Sequence, residues 1–445
     1  MSFNIGLSGL NAAQKQLDVT GNNIANVNTT GFKSSRAEFE DVYSATKLGV
    51  AAKTIGNGVN LANVSQNFGN GGMTATGNAL DMGIQGNGFF TLSSNGSLSY
   101  TRAGTFKTDK DGYITNSDGT ARLQGFAADS KGNIIPGVLT DLRIDVSNLP
   151  PQTSTTVGAT INLDSKSPVI NQATTPFDPS NQASYTKPFS SDIYDTQGNK
   201  HSLDQYVVKT GANTWNVYTL IDGRNPNGTA ATVPTVPPTV PPAATDPVPV
   251  AMVFDSSGKL QSIGGVAGAT TIPVLGWVPG VVTNGVWAAN GAGSNDPTGK
   301  GITSDWSKTT QFNADTSRAN IISDGYATGQ ITDISIDGTG TIFANFSNNQ
   351  HKAIGQVAVA SFTNEQGLQP KGGTAWVQTF ASGQPAYDGG QVGTNGSIVS
   401  GNLEGSNVDL TSELVDLIKG QSYYQANAKT ISTQSTIMQT IIQMT

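Results

Sequence analysis

The sequence predicts a multidomain, mainly β chain with long terminal α-helices, the N- and C-terminal helices paired as a coiled coil and antiparallel β domains nested between them. Three observations predict it. Apolar residues recur in steps of three and four at both ends. Short β-rich runs separated by Asn-Gly, Asp-Gly and Lys-Gly pairs lie inside those ends, and a stretch rich in Thr, Pro, Ser and Asn interrupts the middle.

At the C-terminus the steps run through Leu410, Leu414, Leu417, Gln421, Tyr424, Ala428, Ile431, Ser435, Met438 and Ile442, a heptad repeat. Asp409 stands at the N-cap position, and Glu413 and Asp416 occupy early turns, where the helix dipole favours negative charge. At the N-terminus the same steps run through Phe3, Leu7, Leu10, Gln14, Leu17, Gly21, Ile24 and Asn28. Rods of about 50 Å and about 40 Å are expected, longer than a compact domain accommodates. Two such helices in water bury too little to order themselves, so further apolar neighbours are required, and these are assigned to other copies of the same chain. The terminal segments are accordingly expected to be disordered in dilute monomer and to fold on assembly. Tyr424 falls on the seam and reads as core, while Tyr423 lies one position outside it, facing a neighbouring subunit.

Composition narrows the function. The 445 residues carry a net charge of −7 without a basic block, which argues against nucleic-acid and membrane-surface partners. There is no cysteine and there are two histidines, His201 and His351, so disulfides and thiolate chemistry are excluded and little is left for metal ligation or acid–base work. No basic segment followed by an apolar one opens the chain and no run of 18 apolar residues occurs, so neither a cleaved signal peptide nor membrane insertion is expected.

In chain order, the Asn- and Gly-rich stretch Gly21 to Lys33 predicts that the first helix ends near Asn26 to Thr30, with Gly31 at positive φ. Phe32, Phe39, Val42, Tyr43 and Leu48 are spaced for a short helix or irregular arm, and Val59 to Phe68 alternates like a strand. From Met73 to Val146 short runs are punctuated by Asn95-Gly96, Asp111-Gly112, Asp118-Gly119 and Lys131-Gly132, which predicts antiparallel hairpins. Alternation persists at Ser202 to Val208, Thr214 to Ile221 and Val250 to Phe254. The prolines between Val233 and Val250 predict an exposed loop. Hairpin signals resume around Asp337-Gly338 and Asn348-Asn349. The expected domains are therefore a terminal helical pair (1–30 and 403–445), a linking arm (31–72), a discontinuous inner β domain (73–146 and 325–402) and an inserted outer β region (147–324). That insert is divisible into 147–190 with 315–324, and 191–314.

No catalytic, cofactor-binding or metal site is predicted. Lys107 to Asp118 has the Asp109, Asp111 and Gly112 of a calcium loop but Lys at the first ligand position and Asp at the last, so it reads as an Asp-Gly hairpin. Gly86-Asn87-Gly88 leads into a strand and is no dinucleotide loop, and Glu38, Glu40 and Asp41 read as a solvated face. With the histidines remote from each other, no Ser-His-Asp arrangement follows.

The word NNIANVNTTGFK resembles the N-terminal signature of the bacterial flagellar axial proteins, the rod and hook family, through Asn22, Asn23, Ile24, Ala25, Asn26, Gly31, Phe32 and Lys33. The run Gly401 to Ile431 resembles the shared C-terminal signature, through Ser406, Asn407, Val408, Asp409, Leu410, Tyr424, Gln425, Ala426 and Asn427. GNALDMGIQGNGFF and YTRAGTF resemble the family's inner β domain. The resemblance covers the first 146 and last 120 residues or so, and the long insert suits a hook subunit better than a rod subunit. It implies a structural, non-enzymatic subunit that polymerises with itself into a curved helical tube. In that tube the terminal helices line the centre and β domains slide as it bends, so that torque passes from rod to filament. It further implies export by the flagellar type III apparatus to the extracellular flagellum. The implied partners are the distal rod protein, the hook cap and the hook–filament junction proteins. A rod subunit is the nearest alternative, and a secreted β-rich adhesin or carbohydrate-binding protein the alternative from another class.

Overall fold

The structure is a computed structural model that describes residues 2–42, 56–234, 245–294 and 301–444. Tyr43, Leu48, Pro237, Pro238, Pro241 and Pro242, on which part of the sequence reading falls, lie outside the described residues. The chain divides into two compact units, one made of Met1–Val146, Ile331–Asn345 and His351–Thr445 and the other of Ser147–Gln330 and Phe346–Gln350.

The first unit carries both long helices, α1 (Ser2–Ala25) and α2 (Leu410–Met444). α1 ends where Asn26 to Gly31 turn the chain: the amide of Thr29 donates to the Asn26 carbonyl at 3.1 Å, and Gly31 adopts φ +69°. A Cβ on Gly31 would stand 2.4 Å from the backbone nitrogen of Ala103, so both the backbone angle and the close approach require glycine there.

Past the turn, the structure corrects the expectation of a short helix or irregular arm. Ser35–Asp41 is a strand, β1, paired antiparallel with β2 (Val59–Gln66), with one register shift at Glu38/Phe39. Ala37 and Phe39 alternate with Arg36, Glu38 and Glu40 at the period of a strand. Pairing with β2 satisfies the backbone groups that a helix would have satisfied internally.

The β body of this unit is built from both of its sequence stretches. Phe89–Ser94 and Ser97–Thr101 form a hairpin about Asn95-Gly96, both residues at positive φ. Arg122–Ala128 pairs with His351–Val357, and Val359–Ser361 pairs back onto Phe89 and Phe90. One apolar core accordingly contains Phe90, Leu92, Ile114 and Leu123 together with Ile342, Val357, Val359 and Ile398. Asp109 accepts from the amides of Asp111 (2.9 Å) and Tyr113 (2.8 Å), so its carboxylate shapes a turn. Among the described residues, no group of three or more His, Cys, Asp or Glu is arranged to hold a metal ion.

The second unit has two main sheets. Thr156–Asp164 runs parallel to Ile302–Asp305 and Thr309–Phe312 and antiparallel to Ser317–Ser323. Lys187–Tyr194, Lys200–Lys209, Thr214–Ile221 and Val250–Phe254 form an antiparallel meander. Ile161, Leu163, Trp215, Val217, Met252 and Trp306 share one core between them. Trp215, buried there, keeps its indole N–H satisfied by donating to Oε1 of Gln311 at 2.7 Å.

Candidate assembly face

α1 and α2 pack side by side and antiparallel. A Cβ on Gly6 would lie 3.0 Å from Cγ1 of Ile431, one on Gly9 would lie 2.6 Å from Oδ1 of Asn427, and one on Gly420 would lie 2.9 Å from Cδ2 of Leu17. Asn23 donates to Oε1 of Glu413 at 2.8 Å. Partner numbers on α2 fall as those on α1 rise. The side of α1 buried here is Gly6, Ala13, Thr20 and Asn23, a heptad of small and polar residues, and Gly420 is its buried counterpart on α2. Small side chains let the two backbones approach closely, so dispersion contacts hold the pair with few large apolar groups.

The large apolar seam expected from the sequence lies mostly elsewhere on both helices. Phe3 and Leu7 are exposed, and Leu10, Leu17 and Ile24 are half-buried, with Leu17 against Gly420. On α2, Leu410, Leu414, Tyr424, Met438 and Ile442 are exposed, while Leu417 and Ile431 are half-buried, Ile431 against Gly6. The seam that joins the helices thus sits one residue from the apolar one, about 100° around the helix. Tyr424, read as core, is exposed beside Tyr423 because α1 occupies the other side of α2. The small-residue heptad Gly6, Ala13, Thr20 was present in the sequence, but a search for large apolar side chains passes over it.

With 24 residues against 35, α2 outreaches α1. The antiparallel register sets Ser2 opposite about residue 435, so the exposed Ile437 and Met438 extend past the start of α1. Several polar side chains along α2 are used within it. The hydroxyls of Ser422, Thr430, Thr433, Thr436 and Thr440 donate to carbonyls four residues earlier at 2.9 to 3.0 Å, and the Asn427 amide does the same to Tyr423 at 2.9 Å. Hydroxyls bonded in this way can be covered by an apolar partner without being left unsatisfied.

The signature residues hold the base of the helix pair. Asp409 caps α2, accepting from Thr411 N (2.9 Å) and Ser412 Oγ (3.0 Å), and these bonds hold its carboxyl below the usual range. Asn23 also bonds both ways with the backbone of Ser35, at 2.8 and 2.9 Å, tying the end of α1 to β1. Asn407 accepts from Ser34 N (2.8 Å) and donates to the carbonyls of Asn67 (2.7 Å) and Gly69 (3.0 Å). Asn26 bonds back to Asn22, while the amide of Val408 donates to Ser406 Oγ. Phe32 and Ile24 are half-buried, and Ala25, Gln425 and Ala426 are exposed.

Beneath these lies a residue that sequence reasoning missed. Both side chains of the Lys33 and Glu404 pair are buried, with Nζ to Oε1 at 2.8 Å, and the other oxygen of Glu404 accepts from Arg102 at 3.2 Å. Lys33 also donates to the Gly69 carbonyl, Gly71 N donates to Glu404, and Arg102 donates to the Gly86 carbonyl, each at 2.8 to 3.0 Å. Burial, and then the neighbouring Arg102 charge, push the Lys33 ammonium below its ordinary pKa, while Glu404 opposes the shift. The nearby Glu365 is pushed up by burial. The GFK, YTRAGTF and NLEGS words each contribute one charge to this cluster, and nothing in their local spacing announces that they meet.

Four family models match the chain. They are the Flagella basal body rod protein (residues 3–33), the Flagellar hook protein FlgE/F/G D1 domain (83–164), the Flagellar basal body protein FlaE D2 domain (162–326) and the Flagellar basal body rod FlgEFG protein C-terminal (399–444). Similar full-length relatives include the flagellar hook protein FlgE of Escherichia coli strain K12, 36% identical over all of both chains. The Salmonella typhimurium protein of the same name is 37% identical over all of both chains, and that of Borreliella burgdorferi 33% identical over 99% of this chain and 98% of its own.

Proposed function

This chain belongs to the flagellar hook protein family, and from that premise we propose that it is a structural subunit of the hook, polymerising with copies of itself into a curved tube that passes torque from rod to filament. One observation carries the reading. The terminal helices are closed against each other by small residues, and the large apolar side chains at Leu7, Leu414, Val415 and Ile418 along the pair, and Met438 beyond its end, are left exposed. Neighbouring subunits supply the missing cover, in a head-to-tail array of heterologous contacts that continues without closing. The residues of both seams, from Phe3 to Ile24 and from Leu410 to Ile442, are the assembly residues of this reading.

The same reading divides the chain as it functions in the polymer into terminal helices (1–30, 403–445), a linking arm (31–72), an inner β domain (73–146, 325–402) and an inserted region (147–324). Distal rod, cap and hook–filament junction proteins are its neighbours along the flagellum, reached by type III export. The test is electron microscopy of the purified chain at rising concentration. Curved hollow tubes of fixed width are expected from the full chain and none from one lacking residues 1–30. Glycan binding by both, with tubes from neither, would replace this reading with that of an adhesin.

A further inference from the structure

Phe380 is the most exposed large apolar residue described, with a relative accessibility of 104%. It is not on a loose loop. Thr379 Oγ1 accepts from the amides of Ala381 (3.1 Å) and Ser382 (3.3 Å), and the fully buried Ser382 donates its hydroxyl to the Thr379 carbonyl at 2.8 Å. Asn364 donates to the Ala381 carbonyl at 3.0 Å, and a Cβ on Gly367 would lie 2.4 Å from the Ala381 backbone. The turn is thus bonded on both sides of Phe380 and presses against the 364–367 segment, while the ring itself is held in water. A rigid, preorganised aromatic standing clear of its own chain has the form of an interface anchor, because such anchors work by filling a pocket on a partner without first losing freedom.

The same unit carries a groove of that chemistry. A cavity of about 710 Å³ opens between the loop at Ala79 and Leu80 and the edge strand Ile331–Ile336, where Ile331, Ile334 and Ile336 are half-buried and Asp333 is the one charged residue lining it. Ser400 Oγ holds the loop in place by donating to the Ala79 carbonyl at 2.8 Å. We propose that Phe380 of one copy seats in this groove of a second copy, as a knob-and-hole contact between hook subunits. The proposal rests on the hook reading above. A knob on one face and a hole on another form a heterologous contact, which propagates instead of closing. A phenylalanine buries about 200 Å², far below the roughly 1,600 Å² of a stable pair, so the contact adds to a polymer lattice and does not make a dimer in solution.

Because the sequence has no cysteine, engineered thiols report without background. The full chain carrying Phe380→Cys with Ile334→Cys is assembled into tubes, oxidised, and run on non-reducing gels beside each single variant. A ladder of covalent multimers from the double variant alone is expected. Phe380→Ala should keep the monomer's circular dichroism and raise the concentration needed for assembly by about fivefold or more. No ladder, a ladder from Phe380→Cys alone, or a ladder only when the second thiol is placed at Ile418 on α2 would overturn the proposal, as would assembly of Phe380→Ala at the unchanged concentration. If the unaltered chain forms no tubes, the hook reading itself falls and takes this one with it. Normal tubes from Phe380→Ala without the ladder sink only the knob-and-hole contact.

Discussion

Lys33 and Glu404, 371 residues apart in sequence, meet as a fully buried ion pair at 2.8 Å. Arg102 completes the cluster on the second oxygen of the same carboxylate. The start and the end of the first unit are therefore joined to its β body through one side chain, directly beneath the helices that the proposed assembly uses.

Removing that side chain should be costly. Glu404→Ala leaves two buried cations without their counter-charge, and a loss of about 3 to 5 kcal/mol is expected from the first unit. Chemical denaturation of the full chain, followed by hydrogen exchange at Ile84, Leu92 and Ile398, reads it; exchange unchanged from the parent would show the cluster to be dispensable.

Two glycines should answer the same substitution with opposite sign. Gly21 is exposed in the last turns of α1, and a methyl group added there would meet nothing within 4 Å, so Gly21→Ala should stabilise the helix by about 0.5 to 1 kcal/mol. Gly31→Ala meets both a positive φ and the backbone of Ala103, and should cost about 2 kcal/mol or more. Thermal unfolding by circular dichroism distinguishes them.

Charge placed on the exposed stripe should block assembly and spare the fold. Leu414 and Ile418 are exposed in the single chain, so the double substitution Leu414→Glu with Ile418→Glu should leave secondary structure intact and raise the assembly concentration by about tenfold or more. Sedimentation of tubes from subunits measures this, and tubes that pellet at the parent concentration would count against the stripe.

In the second unit, His201 is buried with Nδ1 2.6 Å from Asp222 and Nε2 3.4 Å from Asp195. Its hydrogen bond to Asp222 raises its pKa above 6.5, against the opposing effect of burial. The folded chain therefore holds a proton that the unfolded chain releases. The stabilisation is full below about pH 6.5 and is lost as pH rises through the folded value. The unfolding temperature of this unit should fall as pH rises above about 6.5, and His201→Gln should flatten that part of the profile. Asp195, where burial is outweighed by bonds from Asn199 and Asn290, stays ionised across the range as the fixed partner.

Much of this protein was legible before its structure. The Asp409 cap, the helix stop at Asn26 to Gly31 and the Asn95-Gly96 hairpin are written in a few consecutive residues each, because caps and turns depend on backbone angles and bonds that span only a few positions. The β1 strand was misread because Ala37 and Phe39 are too few to reveal alternation, and what makes the segment a strand is β2, about 20 residues further on.

That both ends are helices, that large apolar residues run along them, and that the chain has no cysteine and only two histidines could all be read from the order of residues alone. Which side of each helix closes the pair could not, since Gly6, Gly9 and Gly420 matter through the partner that can approach them and not through any side chain of their own. The Glu404 cluster and the outward hold on Phe380 likewise came into view only with the folded chain. The reason is one of range: periodicity and turn chemistry are local, whereas packing and charge pairing depend on residues that the fold brings together from hundreds of positions apart.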